Sequence, residues 1–195
     1  MFLCGIVYVI RNGLQWKDAP QADGPHKTLY NRFFRWSRLG VFDRIFVAPT
    51  EQTGHSKRLM IDAIHLKAHR TSVSLLKKGA FPRHIGRTKG GLNSKLHAVC
   101  DDQGRPVPFH LTAGQVSDYT GAVALEEKGL KLCIPDGKSL GKPVKYDKRE
   151  YKRRNRIGIM FGRLKDWRRV ATRYDRCPTV FFSAICLAAT VLFWL

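Results

Sequence analysis

Acid is what this sequence has least of. Its 195 residues hold 15 Asp and Glu against 35 Lys and Arg, a formal net charge of +20. That imbalance excludes a neutral surface and favours polyanionic partners, nucleic acid first and anionic membrane second. Cysteine is sparse too. Cys4, Cys100, Cys133, Cys177 and Cys186 are odd in number, scattered, and without C-x-x-C spacing. This excludes a disulfide frame and a zinc site, and fits reduced thiols in a cytoplasmic protein. No basic segment or small-residue cleavage site precedes Arg11, which argues against a signal peptide. The final uncharged run, Val180–Leu195, has 16 residues and follows Arg168, Arg169, Arg173 and Arg176. It looks like a short anchor, yet it falls below the roughly 20 apolar residues of a membrane span and includes Ser183 and Thr190. A buried core helix is expected, with no membrane. GRTKGG at 86–91 lacks the spacing of a phosphate-binding Walker loop, and there are no internal repeats.

What is there suffices for an ordinary core: 44% of the residues are apolar, enough for one domain or one domain with an appendage. The N-terminal 47 residues read as helices. FLCGIVYVIRNG ends at Gly13, a plausible cap. After an Asp-, Pro- and Gly-rich loop, Leu29, Phe33, Trp36 and Leu39 recur at helical spacing, with Arg32, Arg35 and Arg38 on a neighbouring face. Such interleaving suits a DNA-backbone contact and equally an amphipathic surface helix. The first residue already lies inside an apolar helix, which suggests a truncated start. Residues 48–57 read as a polar linker.

Three β segments follow. In 58–69, Met60, Asp62, Ile64 and Leu66 share one face by alternation. A carboxylate in that row must be paired, bind metal, or sit hydrated near a strand end. Residues 79–94 read as a mobile, basic, glycine-rich loop. SKLHAVCD and RPVPFHLTAG then form a hairpin turning at D-D-Q-G-R, with His97 and His110 expected on its surface. Ser117 and Asp118 look like the cap of a helix starting at Tyr119, and Lys131–Pro135 could be a further short strand.

The most charged stretch comes next. Residues 138–176 hold 15 Lys and Arg against 4 Asp and Glu, a net +11. Within it, Tyr151, Arg154, Gly158 and Lys165 fall within about 60° of one another on a helix. Ile157, Met160, Phe161, Leu164 and Trp167 make a separate apolar face. A helix that buries one side and aims Tyr, Arg and Lys along the next is suited to holding an anion. Gly158 is out of place there, since glycine costs about 1 kcal/mol against alanine inside a helix.

These residues resemble a known signature. Y-x-x-R-x-x-x-E-x-x-x-x-x-x-K marks the DDE transposases of bacterial insertion sequences in the family-four and family-five groups. Tyr151, Arg154 and Lys165 match it, with Gly158 at the Glu position. MIDAIHLKAHRTS, KGGLNSKLHAV, LTAGQVSD, MFGRLKDWRRVATRYDRCP and CGIVYVIRNGLQWKDAP also look like the family-five type, so the resemblance spans nearly the whole chain. It implies an α/β fold, an RNase H-like mixed sheet flanked by helices, over 58–195, after a helical DNA-binding-like segment at 1–50. It implies DNA strand cleavage and transfer with Mg²⁺ in the bacterial cytoplasm, with the terminal inverted repeats of DNA and further copies of the chain, as a homo-oligomer, for partners.

 Two-metal in-line displacement at phosphorus explains the residue types, since magnesium takes oxygen ligands and carboxylates supply them. On this mapping Asp62 is the first catalytic aspartate and a metal ligand. Tyr151, Arg154 and Lys165 would hold phosphate or terminal nucleotides, and Lys152, Arg153, Arg156, Arg168 and Arg169 join Arg32, Arg35 and Arg38 as DNA contacts.

The chain departs from the pattern at two of three carboxylates. Gly158 cannot ligate a metal. The second Asp belongs between LTAGQVSD and KGLKLCIP, yet the intervening strand and helix, roughly 20–30 residues, are missing. Ala124–Glu127 reads as the join left by an in-frame deletion. Asp101, Asp102 and Asp118 each have a local role in a turn or cap and are not expected to substitute. Impaired metal binding and no strand cleavage are therefore expected. The alternatives are a DNA-binding remnant that represses an intact copy, and a small basic membrane-anchored protein.

Overall fold

A computed structural model describes residues 1–52, 59–74, 83–118, 120–121 and 155–195. Helix α1, Phe2–Asn12, buries Gly5, Ile6, Val9 and Ile10. It stops at Gly13, whose φ of 69° is the left-handed conformation that suits glycine, and the Gly13 N–H donates to the Val9 carbonyl. Two 3₁₀ turns lead to α2, His26–Arg38, which buries Leu29, Phe33 and Ser37. Gly40, at φ 65°, then turns the chain into α3, Val41–Gln52. Residues 48–52, expected in a linker, are instead the end of this helix, with Pro49 inside it. Buried Phe42 and Phe46 anchor α3 in the core, so packing overrides the local breaker signal.

The sheet is mixed. Strand β1, Met60–Ala68, pairs antiparallel with β3, Gly91–Cys100, and β3 pairs antiparallel with β4, Pro106–Ala113. Between β1 and β2 lies the single-turn helix α4, Arg70–Val73. Strand β2, Gly86–Thr88, also pairs with β3, so part of the expected loop is strand. Three residues are too short to display a period, which hid it from the sequence. A Cβ at Gly86 would displace the end of the Gln115 side chain and come 3.1 Å from the Gly114 backbone nitrogen. Strand β5, Thr172–Arg173, runs parallel to β1 beside Lys67 and Ala68. The expected D-D-Q-G-R turn joins β3 to β4. The Asp101 carboxylate accepts the backbone N–H groups of Gln103 and Arg105 and the Arg105 Nε–H, the last at 2.8 Å.

Helix α5, Asn155–Lys165, packs Ile157, Met160, Phe161 and Leu164 inward as its periodicity predicts, and Trp167 is buried beside them. A short helix α6, Arg168–Ala171, precedes β5, and α7, Pro178–Phe193, closes the described structure. Residues 183–190 of α7 are all buried, so this apolar run is core, and no helix among the described residues is long and apolar enough to cross a membrane. One buried cluster joins Ile6, Phe33 and Phe46 from the N-terminal helices to Leu96, Phe109, Ile157 and Ile185, so segment 1–50 packs onto the sheet region. Each such aliphatic or aromatic side chain contributes about 1.5–3 kcal/mol by leaving water.

Arg173 pins three of these pieces together. It is fully buried, and its guanidinium donates to the Ser94 hydroxyl at 2.8 Å and to the carbonyls of Asp175, at 2.9 Å, and Arg176, at 3.1 Å. The group also lies 5.1 Å from the Phe181 ring centroid. Burial is the main influence lowering it to about 10, so it stays charged at neutral pH.

Candidate functional site

Asp62 sits opposite Ala98 in the β1–β3 ladder, and side chains directly opposite share a face. Its row is therefore the apolar one, with Leu66, Leu96, Ala98, Cys100 and Phe109. The Asp62 side chain is half-buried, and its Oδ1 accepts the Ala63 N–H at 2.9 Å. The nearby Cys100 thiol is pushed up to about 12, first by burial and then by the negative charges of Asp101 and Asp62, with Arg156 opposing them. Arg156 and Asp62 thus lie toward the same end of the sheet. At this end Arg156 also packs beside Gly104. At the other end of α5, Lys165 approaches His65 and Lys67, so α5 runs in the direction of β1.

Gly158 is exposed on α5, and a Cβ built there meets nothing within 4 Å. A glutamate would fit, so glycine is not a steric requirement. Among the described residues no group of three His, Cys, Asp or Glu side chains could hold a metal ion. The described residues therefore do not fit a two-metal centre. Tyr151, Lys152, Arg153 and Arg154 lie outside the described residues, as do the expected join at Ala124–Glu127 and the expected strand at Lys131–Pro135.

The opposite face of the sheet carries a different set. Here a groove of about 920 Å³ is lined by His65 and Lys67 of β1, Asn93 and Lys95 of β3, Lys89 from the β2–β3 turn, and Lys165. The Lys95 ammonium is 2.6 Å from the Asp118 carboxylate and donates to the Val116 carbonyl at 2.9 Å. His65 Nε2 lies 3.0 Å from the Gly114 carbonyl oxygen. His97, expected at the surface, is 1% exposed and lies 2.9 Å from the Thr112 hydroxyl. Gly121 passes over this part of the sheet, so close that a Cβ would strike the His97 ring. Burial, then the positive charge of Lys95, lowers His97 to about 4 and keeps it neutral at pH 7. Ser117 caps the following helical turn by accepting the Thr120 N–H at 3.1 Å, as expected.

The remaining basic residues divide between surface and core. Arg32, Arg35, Arg38, Arg156 and Arg168 are exposed, with the Arg32 guanidinium 4.1 Å from the Phe2 ring centroid. Arg169, expected among the DNA contacts, turns inward instead. It pairs with Asp175 at 3.0 Å, donates to the Leu14 carbonyl at 2.9 Å, and is 6% exposed. Sequence reasoning missed Lys67, Lys89 and Lys95, because only strand pairing brings them to one groove. Their odd-numbered positions in alternating strands were the available signal for Lys67 and Lys95.

Comparison with known proteins supplies the class. Residues 119–195 match the family described as the transposase DDE domain. Residues 1–46 match the family described as a putative transposase of the IS4/5 family. Over these two stretches the chain is similar to transposases of the DDE and IS4/5 types. A family of this kind acts on DNA and uses divalent metal ions. The uncharacterized protein y4sN of Sinorhizobium fredii (strain NBRC 101917 / NGR234) is 29% identical over 85 residues, covering 43% of this chain and 67% of that protein. No solved structure matches.

Proposed function

We propose that this chain is a transposase-derived DNA-binding protein of an insertion sequence that no longer cleaves or joins DNA. The observation that carries this reading is Gly158. It occupies the position of the family's glutamate, and the open space around it holds no carboxylate from a described neighbour. The domain is RNase H-like in this account, with a strand and helix deleted near residues 124–127, which removes the second aspartate. Asp62 then remains as a single carboxylate toward Mg²⁺, one ligand where a two-metal site needs several.

DNA binding survives because it depends on other residues. Arg32, Arg35 and Arg38 offer an exposed cationic face on α2, and Arg156 and Arg168 add charge elsewhere. Tyr151, Arg154 and Lys165 keep their family role of holding phosphate, with Lys152 and Arg153 beside them. The protein acts in the bacterial cytoplasm, on the terminal repeats of its element. Titration with Mn²⁺, following the free ion by its paramagnetic resonance, tests the loss of the metal site. We expect no stoichiometric binding by the full chain. Two Mn²⁺ bound per chain would overturn the reading.

A further inference from the structure

We propose that the groove on the sheet face opposite Asp62 is a DNA contact that takes the phosphodiester backbone of one strand. Lys67, Lys89 and Lys165 are exposed and line it, and none of their ammonium groups has a hydrogen bond or ion pair among the described residues. Lys95 is neutralised by Asp118, so these three lysines set the charge of the groove. Among the described residues no other carboxylate lines it. Uncompensated cations this close repel one another, and an anion between them relieves that repulsion.

The layout suits a chain of phosphates better than a single one. Lys67 stands opposite Asn93, which pairs on its other side with Gly86 of β2, and Lys89 follows at the β2–β3 turn. Lys67 and the β2 strand are thus two strand spacings apart, roughly 10 Å. That is about three nucleotide steps along one DNA strand, at about 3.4 Å of helix axis each, so the groove spans several phosphates. Gly90 and Gly114 line the same groove without side chains, which leaves room for a backbone to approach.

This inference rests on the reading of the chain as a DNA-binding protein, and one experiment separates the two. Binding of the full chain to a fluorescein-labelled 30-base-pair duplex is followed by anisotropy between 50 and 200 mM salt. The comparison is between wild type, Lys67→Ala/Lys89→Ala/Lys165→Ala, and Arg32→Ala/Arg35→Ala/Arg38→Ala, each checked for folding by circular dichroism. Loss of three phosphate contacts makes the slope of log K against log salt shallower by about 2.7, so fourfold more salt weakens the lysine variant about 40-fold less than wild type. A wild-type slope in the lysine variant, with DNA still bound, overturns the groove and leaves DNA binding standing. Failure of wild type to bind the duplex at 50 mM salt overturns both.

Discussion

One face of the sheet carries Leu66, Leu96, Ala98 and Phe109 under α3, α5 and α7, and Phe46 stacks on Phe109 with ring centroids 4.8 Å apart. The other face, built from the alternate residues of the same strands, carries His65, Lys67, Lys95 and His97. The first face holds the protein together and contains Asp62, which we propose is the family's remaining carboxylate. On the second, Lys67 is exposed, while Lys95 and His97 are buried, His97 as a neutral ring. The hydrophobic core and the exposed lysines therefore lie on opposite sides of one sheet, and replacing an exposed lysine should leave stability intact.

The largest expected effect falls on the core side. Arg173→Met leaves the Asp175 and Arg176 carbonyls and the Ser94 hydroxyl without their buried donor. It should cost on the order of 4 kcal/mol in urea unfolding. A loss below about 1 kcal/mol would show that Arg173 does not pin the core.

His97 should give the cation face its own signature. Its folded-state value of about 4 lies below the ordinary 6.5, so the unfolded chain binds more protons between those limits. Stability from this group is present above pH 6.5 and is lost as pH falls toward 4, by up to about 3 kcal/mol. Urea midpoints of wild type and His97→Gln at pH 7 and 4.5 measure it, and wild type should lose more. Equal losses would break the assignment.

Smaller effects follow at exposed positions. Gly158→Ala should stabilise α5 by about 0.5–1 kcal/mol, since open space surrounds the new methyl group. Lys67→Ala should change stability by no more than about 0.5 kcal/mol, despite its place in the groove. Destabilisation by either, read from thermal unfolding, would mean that its surroundings are less open than described.

Local signals in the sequence foretold part of this arrangement. Alternation placed Asp62 with Met60, Ile64 and Leu66, and the glycine at position 13 marked the end of α1. Helical periodicity identified the buried side of α5, where Ile157, Met160, Phe161 and Leu164 are core. What escaped depended on distant partners. Residues 48–52 looked like linker because their own composition is polar, while Phe42 and Phe46 earlier in the helix hold it in the core. His97 looked exposed because a histidine in a strand has no local mark of burial, and it is distant Gly121 that closes over its ring. Arg169 looked like one more surface cation, until Asp175 and the Leu14 carbonyl supplied its partners.

The central claim is binding without cleavage, and one reaction tests it. The full chain is incubated with labelled duplex carrying the sequence that flanks its own reading frame, in Mg²⁺ and separately in Mn²⁺. Half of each sample is run on a native gel and half on a denaturing gel. The account predicts a shifted complex on the native gel and only full-length strands on the denaturing gel, for wild type and Gly158→Glu alike. A shortened or joined strand produced by wild type would contradict it.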